Sequence, residues 1–476
     1  MRWWGWLVDL CLVAGCAAIA ASLTQDANWD QLQYHYWYPW QLFNGGFTDP
    51  DLYGGRFQNP LAQVPFYLIV NALQPQAAQA ALGAIAGIAV VLTRRIATWV
   101  LPYDGAWLLS TSTLAAVLGA VGAAFRSELG TSYADVWLAA LLLGGLLLTL
   151  REQPLLAGLL AGAAVGLKYT SAPFALAMVA AVLVIRWRSV LWWLLGAVLG
   201  ALITGGWWAW SLWRTYESPV FPFWNSFFAS PWYPADNLTD ERYGVMGWQG
   251  WLRWPYEMAT GEAKVLDLAV RDPRWLLLAA GLLLLVAGAR RLGRPAWAVV
   301  VFTLVGVMAW LAVFGVIRYA IPAELLTGVL IVLALSLWLS PQTTFVLCLI
   351  VAVGAGLWTQ SAQSRRVEWG GRWYAVEPGA FDRVSPGDVV LVDGQYPSTF
   401  LLPQRLPADV PVHVVQKDFI GTPLQGWLEQ QLTGRIWVVT GRPPSQVDPA
   451  IGTIGYEECT RIRSNVVDRW LCPVTR

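Results

Sequence analysis

The sequence predicts an α-helical polytopic membrane protein of about eleven transmembrane helices with a small C-terminal α/β soluble domain. Three observations lead there. Of 476 residues, 57% are hydrophobic and only 13% charged, against about 25% charge in a typical soluble domain. The 31 tryptophans equal the 31 basic residues in number, and Trp accumulates where a membrane meets water. The charges are also unevenly placed: residues 360–476 hold 24 of the 61, so a soluble composition begins just after Trp358. The net charge of +1 offers no basic surface for nucleic acid.

Apolar runs able to cross about 30 Å of hydrocarbon fall near 3–23, 76–98, 105–124, 133–150, 155–172, 173–187, 190–212, 275–289, 296–315, 321–340 and 343–359. The continuous stretch 155–187 is divided at Lys168 and Pro173, which place a turn there. Eleven spans put the termini on opposite sides. With the N-terminus cytoplasmic, the short inner connections carry Arg2, Arg94, Arg95, Arg151, Arg186, Arg188, Arg290, Arg291 and Arg294, whereas the short outer turns carry Arg126, Lys168 and Arg318. That is the positive-inside pattern. Residues 1–359 then form a membrane domain with outer loops 24–59 and 213–274, and residues 360–476 form an extracytoplasmic α/β domain. The expected location is the bacterial cytoplasmic membrane, multi-pass.

The first run is expected to stay as an anchor, because Asp9 interrupts it and its start holds a single Arg, unlike a cleaved signal. Cys11, Cys16 and Cys348 lie inside spans as small apolar residues. Cys459 and Cys472 lie in a strand–turn–strand of the tail; an oxidising compartment allows them to pair, two separate thiols being the alternative. Strands are expected at Val389–Val392, Val412–Val415 and Ile436–Val439, with turn signals such as Asp393-Gly394 between them. The tail carries no phosphate-binding glycine pattern, CxxC pair or nucleophile elbow, so partner binding or stabilisation is expected of it.

Ionisable groups at membrane depth are costly and point to function. Those not explained by topology gather at the outer ends of spans. Asp30, Tyr34 and His35 follow the first span, and on a helix Asp30 and Tyr34 would share a face. Glu128, Tyr133 and Asp135 lie between the third and fourth spans, Lys168 between the fifth and sixth, Arg318 and Tyr319 after the ninth. Each has a structural reading: a solvated loop acid, a snorkelling cation, an interfacial ring. Asp9 and Glu324 read as inter-helix hydrogen-bonding groups. Structural readings do not account for two acids and two bases converging on one membrane face. A carboxylate supplies a general base for an acceptor hydroxyl, and fixed cations hold a phosphate and its developing charge. Trp29, Trp37, Trp40, Trp232, Trp248 and Trp251 offer flat faces for sugar C–H groups, or form the interfacial belt.

Over roughly residues 1–340 the sequence resembles the GT-C superfamily of membrane glycosyltransferases, including the protein O-mannosyltransferase and aminoarabinose transferase families. The resemblance lies in Asp30 followed by Tyr34-His35, in Gln58-Asn59-Pro60, in Tyr133-Ala134-Asp135, in the Gly-Leu-Lys-Tyr-Thr run from Gly166 to Thr170, and in Arg318-Tyr319-Ala-Ile-Pro322. It implies a GT-C-like fold and a polyprenyl-phosphate sugar donor. It further implies Asp30 and Asp135 as catalytic acids, Lys168 and Arg318 as donor-phosphate ligands, and Tyr34, His35, Asn59, Glu128 and Tyr319 as substrate-lining residues. Asp30 lacks the neighbouring acid of the O-mannosyltransferases, and the chain has two histidines, His35 and His413. Glycan, lipid and protein acceptors therefore stay open, as does a divalent metal.

The leading expectation is a glycosyltransferase moving one sugar from a polyprenyl phosphate to an acceptor outside the membrane. An oligosaccharide polymerase or ligase would require a diphosphate-linked oligosaccharide. A non-enzymatic transporter of lipid-linked sugar would require ionisable groups near mid-membrane and paired broken spans, of which Asp9 alone is a candidate.

Overall fold

The structure, a computed structural model, describes residues 2–45, 52–238, 242–243, 245, 247–266, 269–407, 409–441, 453–454 and 458–475. It is an α-helical multi-pass membrane protein with a small C-terminal α/β region, and all eleven predicted spans coincide with helical segments. Among the described residues, six helical runs are long and apolar enough to cross a membrane, and four shorter apolar helices accompany them. Leu191, Ile203, Leu283 and Leu357 are each at least 70% exposed. Apolar surface on this scale is stable where the surroundings are hydrocarbon.

The chain divides into two compact units. The first comprises 1–23, 80–206 and 240–363, the second 24–79, 207–239 and 364–476.

In the first unit the Ile321–Ser336 helix is buried at every position except Leu335, as expected of a helix that is apolar on all sides. It packs against Gly105–Ala120 and Arg274–Ala287. Pro154–Leu167 and Val190–Ala201 pair closely because their contact face is glycine. A Cβ on Gly158 or Gly162 would lie 2.0 or 1.9 Å from the carbonyl oxygen of Trp193 or Ala197, and one on Gly196 or Gly200 2.1 Å from that of Leu155 or Leu159. Small residues four apart let membrane helices approach backbone to backbone.

The predicted 190–212 span is not one regular helix. A π-turn at Leu202–Gly206 interrupts it, where Thr204 Oγ1 donates to the Ala163 and Gly200 carbonyls at 3.0 Å. The adjoining glycines weaken the helical preference.

Asp9 does not stand alone in the first span. Arg94 Nε and Arg95 Nε donate to its two oxygens at 2.6 and 2.8 Å. These arginines belong to the Pro75–Val100 helix rather than to a turn, and Arg94 is buried. Asp9 and Glu324 thus hold helices together, as read from the sequence.

In the second unit the sheet runs in the order Val412–Val415, Val389–Asp393, Ile436–Thr440, Arg469–Thr475, Thr453–Ile454. The first three strands are parallel and Arg469–Thr475 runs antiparallel to its neighbours. The three predicted strands are found where expected. One sheet face, with Val389, Leu391, Ile436 and Val438, packs on Phe419, Leu424 and Leu428. It also packs on Leu52, Phe57, Trp208 and Phe221 from segments 24–79 and 207–239 of the same unit.

Thr460–Ile462 pairs with Arg469–Thr475, and Cys459 is bonded to Cys472 across a separation of 13 residues. Closing a loop of that size stabilises by about 2–3 kcal/mol. Replacing both cysteines by serine is therefore expected to speed amide hydrogen exchange in Ile436–Thr440 and Arg469–Thr475. Unchanged exchange would show that the bridge adds nothing.

Candidate functional site

The Pro154–Leu167 helix ends where Lys168 leaves helical geometry, at φ −154° and ψ 111°. Pro173 at the start of Ala172–Arg186 fixes the next helix, with a short 3-10 turn between them. This sharp corner points Lys168 at the first turn of the Asp135–Leu150 helix. Its Nζ donates to both Asp135 carboxylate oxygens at 2.8 Å, with the Lys and Asp side chains 9% and 4% exposed.

The same ammonium lies 4.8 Å from the centre of the Tyr319 ring, and the Arg318 guanidinium lies 5.4 Å from that ring and 4.8 Å from that of Tyr133. Tyr319 is thus a shared aromatic face between two cations. The 3-10 turn Ile317–Ala320 that carries Arg318 is held by Trp310 Nε1 donating to the Val316 carbonyl at 2.8 Å.

Glu128 closes the short helix Ala123–Glu128. It is 3% exposed, and neither carboxyl oxygen accepts a hydrogen bond from a described residue. Burial, reinforced by the Asp135 carboxylate, pushes its carboxyl well above the usual carboxylate range, against the opposing pull of Arg318 and Lys168.

The helix is fixed from its other end. Glu324 accepts from the Ala124 and Phe125 amides at 2.9 and 2.8 Å. The fully buried Arg274 ties Glu324 to Asp272 and donates to the Leu118 and Gly119 carbonyls at 2.8 and 2.7 Å. A buried ion cluster of this kind is costly to break, because each remaining charge would lie uncompensated.

Beside the Asp135 carboxylate lies a narrow cleft. It is lined by Asp135, Leu138, Ala139, Leu142, Thr170, Ser171, Tyr319 and Pro322. Its polar lining is Asp135 with the Thr170, Ser171 and Tyr319 hydroxyl side chains. Its apolar side follows positions 138, 139 and 142, one face of a helix.

In the second unit, Asp30 is half-buried at the entrance to a π-helix, Gln31–His35. The face-sharing expected of Asp30 and Tyr34 assumed α-helical spacing; π-geometry replaces it, a form frequent at functional sites. Tyr34 and His35 are buried and meet edge to face at 4.4 Å. Asn59 Oδ1 accepts from the Leu61 amide at 3.1 Å and so caps the turn that Pro60 begins. Trp37 is buried and stacks on Trp40 at 5.0 Å, a packing contact rather than an open platform; Trp29 and Trp248 are exposed.

The tail holds the π-helix within this unit. Gln33 Oε1 accepts from the Ser398 amide at 2.9 Å, and Thr399 Oγ1 donates to the Gln33 carbonyl. Arg469 Nε donates to Ser398 Oγ at 2.8 Å.

In fold, the chain is similar to the crystal structure of ArnT from Cupriavidus metallidurans in the apo state. The TM-score is 0.59, with 12% identity over 99% of this chain and 98% of that one. Against the crystal structure of the same ArnT bound to undecaprenyl phosphate, the TM-score is 0.60, with 13% identity over 98% of each chain. The chain has the ArnT fold. No protein-family model and no curated protein matches the sequence. The multi-pass helical architecture expected from the short motifs is shared with these two ArnT structures.

Of the predicted residues, the first unit of this ArnT-like chain brings together Asp135, Lys168, Arg318, Tyr319 and Glu128. Asp30, Tyr34, His35 and Asn59 belong to the second unit. Among the described residues no three His, Cys, Asp or Glu side chains gather as metal ligands. Both oxygens of Asp135 are engaged by Lys168.

Sequence reading passed over Arg56. It is 4% exposed, donates to Gln41 Oε1 at 3.3 Å, and lines a second cleft with Phe57, Trp208 and Tyr216. The available signal was a single cation in an aromatic outer loop, Gly54-Gly55-Arg56-Phe57.

Proposed function

We propose that this protein transfers a sugar from a polyprenyl-phosphate donor to an acceptor outside the cytoplasmic membrane. One observation carries the reading: two cations, Lys168 and Arg318, both lie against the Tyr319 ring, and Asp135 is paired with Lys168. Two cations gathered at one ring, with a single carboxylate bonded to Lys168, suit a phosphate. The fold likeness to an ArnT bound to undecaprenyl phosphate supports the same ligand class.

In this reading Lys168 and Arg318 hold the phosphate and stabilise the charge it gains as the sugar leaves. Asp135 positions the Lys168 ammonium rather than acting as a base, since both of its oxygens are engaged. An acceptor hydroxyl attacks the anomeric carbon in a single inverting displacement, and the base that the sequence resemblance offers for its proton is Asp30. The acceptor is a glycan, a lipid or a protein.

The positive-inside arginines support a cytoplasmic N-terminus with an extracytoplasmic tail, and the Cys459–Cys472 bond suits an oxidising compartment. Purified protein given labelled polyprenyl-phosphate sugar is expected to release lipid phosphate. Asp30→Asn should slow that release by about 10²–10⁴-fold, the usual worth of a positioned base. An unchanged rate would remove Asp30 from the chemistry.

A further inference from the structure

We propose that Glu128 is a third phosphate ligand, an uncharged carboxylic acid that donates its O–H to an oxygen of the lipid-linked phosphate. The proposal rests on the phosphate reading of Lys168 and Arg318 given above. Three observations lead to it.

Glu128 is 3% exposed and neither of its carboxyl oxygens has a hydrogen-bond partner among the described residues. A buried polar group in that condition is costly unless a ligand completes it. It is also held in place, since its helix is anchored at the opposite end by Glu324 through the Ala124 and Phe125 amides. Finally, it belongs to the charged cluster that faces the phosphate. Asp135, Lys168, Arg318 and Glu324 act on it from the four neighbouring segments, and the exposed Arg126 on its own helix turns away to the Gly356 and Thr359 carbonyls at 3.2 Å.

Burial and the like charge of Asp135 raise this carboxyl well above the usual carboxylate range, which favours the proton-bearing form, the one able to donate. An arriving phosphate adds another negative charge and favours that form further. The sign of the pH effect follows. Below the pH at which Glu128 ionises, the donor is present. Above it, a carboxylate faces the phosphate, the hydrogen bond is lost and repulsion replaces it.

The test is binding of undecaprenyl phosphate to the full chain in nanodiscs from pH 6 to pH 9, for wild type, Glu128→Gln, Glu128→Ala and Lys168→Ala. The amide of Glu128→Gln still donates but does not titrate. This variant is expected to bind nearly as tightly as wild type at low pH and to lack the loss of affinity that wild type shows as pH rises. Glu128→Ala should bind on the order of tenfold more weakly at low pH, the usual cost of a lost hydrogen bond to a charged group.

The ligand's own titration is common to all the variants, so the difference between wild type and Glu128→Gln isolates this side chain. Glu128→Ala binding as wild type does, or Glu128→Gln binding as weakly as Glu128→Ala at low pH, overturns the proposal. If Lys168→Ala weakens binding while the Glu128 variants do not, Glu128 alone is wrongly placed. If wild type does not bind the lipid at all, the phosphate reading falls with it.

Discussion

Lys168→Met is expected to slow sugar transfer at least about a hundredfold, the scale seen when one donor to a developing oxyanion is removed. Two effects add up in that figure. The phosphate loses a cation, and Asp135 is left 4% exposed without the ammonium that now bonds to both of its oxygens. The second effect makes a specific pattern across variants. Asp135→Asn alone should also be damaging, because Lys168 loses its fixed position. The double variant should be better than the sum of the singles, because removing both members of a buried pair leaves no unpaired charge. Single-turnover release of lipid phosphate, measured for all four proteins of the cycle, decides the matter. A coupling below about 0.5 kcal/mol, the level of independent sites, would mean the pair does not act as a unit.

The second large effect is expected from a side chain added where two helices touch. Gly162→Val places a Cβ 1.9 Å from the Ala197 carbonyl oxygen, a backbone atom that cannot rotate away. Gly158, Gly196 and Gly200 make equally close approaches along the same seam, so the helices must separate along their length. Because Lys168 directly follows one of these helices, separation also displaces the ion pair. The variant should insert into membranes yet melt well below wild type in detergent, with transfer lost. Gly354→Val is the control, since a Cβ there meets nothing within 4 Å. Equal melting of the two variants would show that close packing at this seam is unimportant.

Helix content was legible because it rests on local pattern: long apolar runs, and punctuation such as Lys168 and Pro173 marking the corner found there. The three parallel strands were legible for the same reason, as short β-branched runs between turn residues. What a local pattern does not contain is partner choice. Arg94 and Arg95 read as positive-inside charges, yet both bind Asp9, more than eighty residues away. Asp272 and Arg274 drew no notice, although with Glu324 they fix the helix that ends in Glu128. Arg56 was missed because a lone loop arginine looks like a solvated one. Glu128, Asp135, Lys168 and Arg318 could be named from their types and shared side. That Lys168 binds Asp135 while Glu128 finds no bond among the described residues depends on helix packing, which hydropathy does not encode.

The bond from the Ser398 amide to Gln33 Oε1 spans 365 residues. At a synthesis rate of about 5–20 residues per second, this means roughly 20–70 s between the emergence of the two partners. Throughout that interval the π-helix bearing Tyr34 and His35 lacks the strap that Thr399 and Arg469 complete. A nascent chain therefore carries its membrane helices long before its first outer loop is secured, and a chaperone acting in that window would meet an aromatic loop still waiting for its last strand.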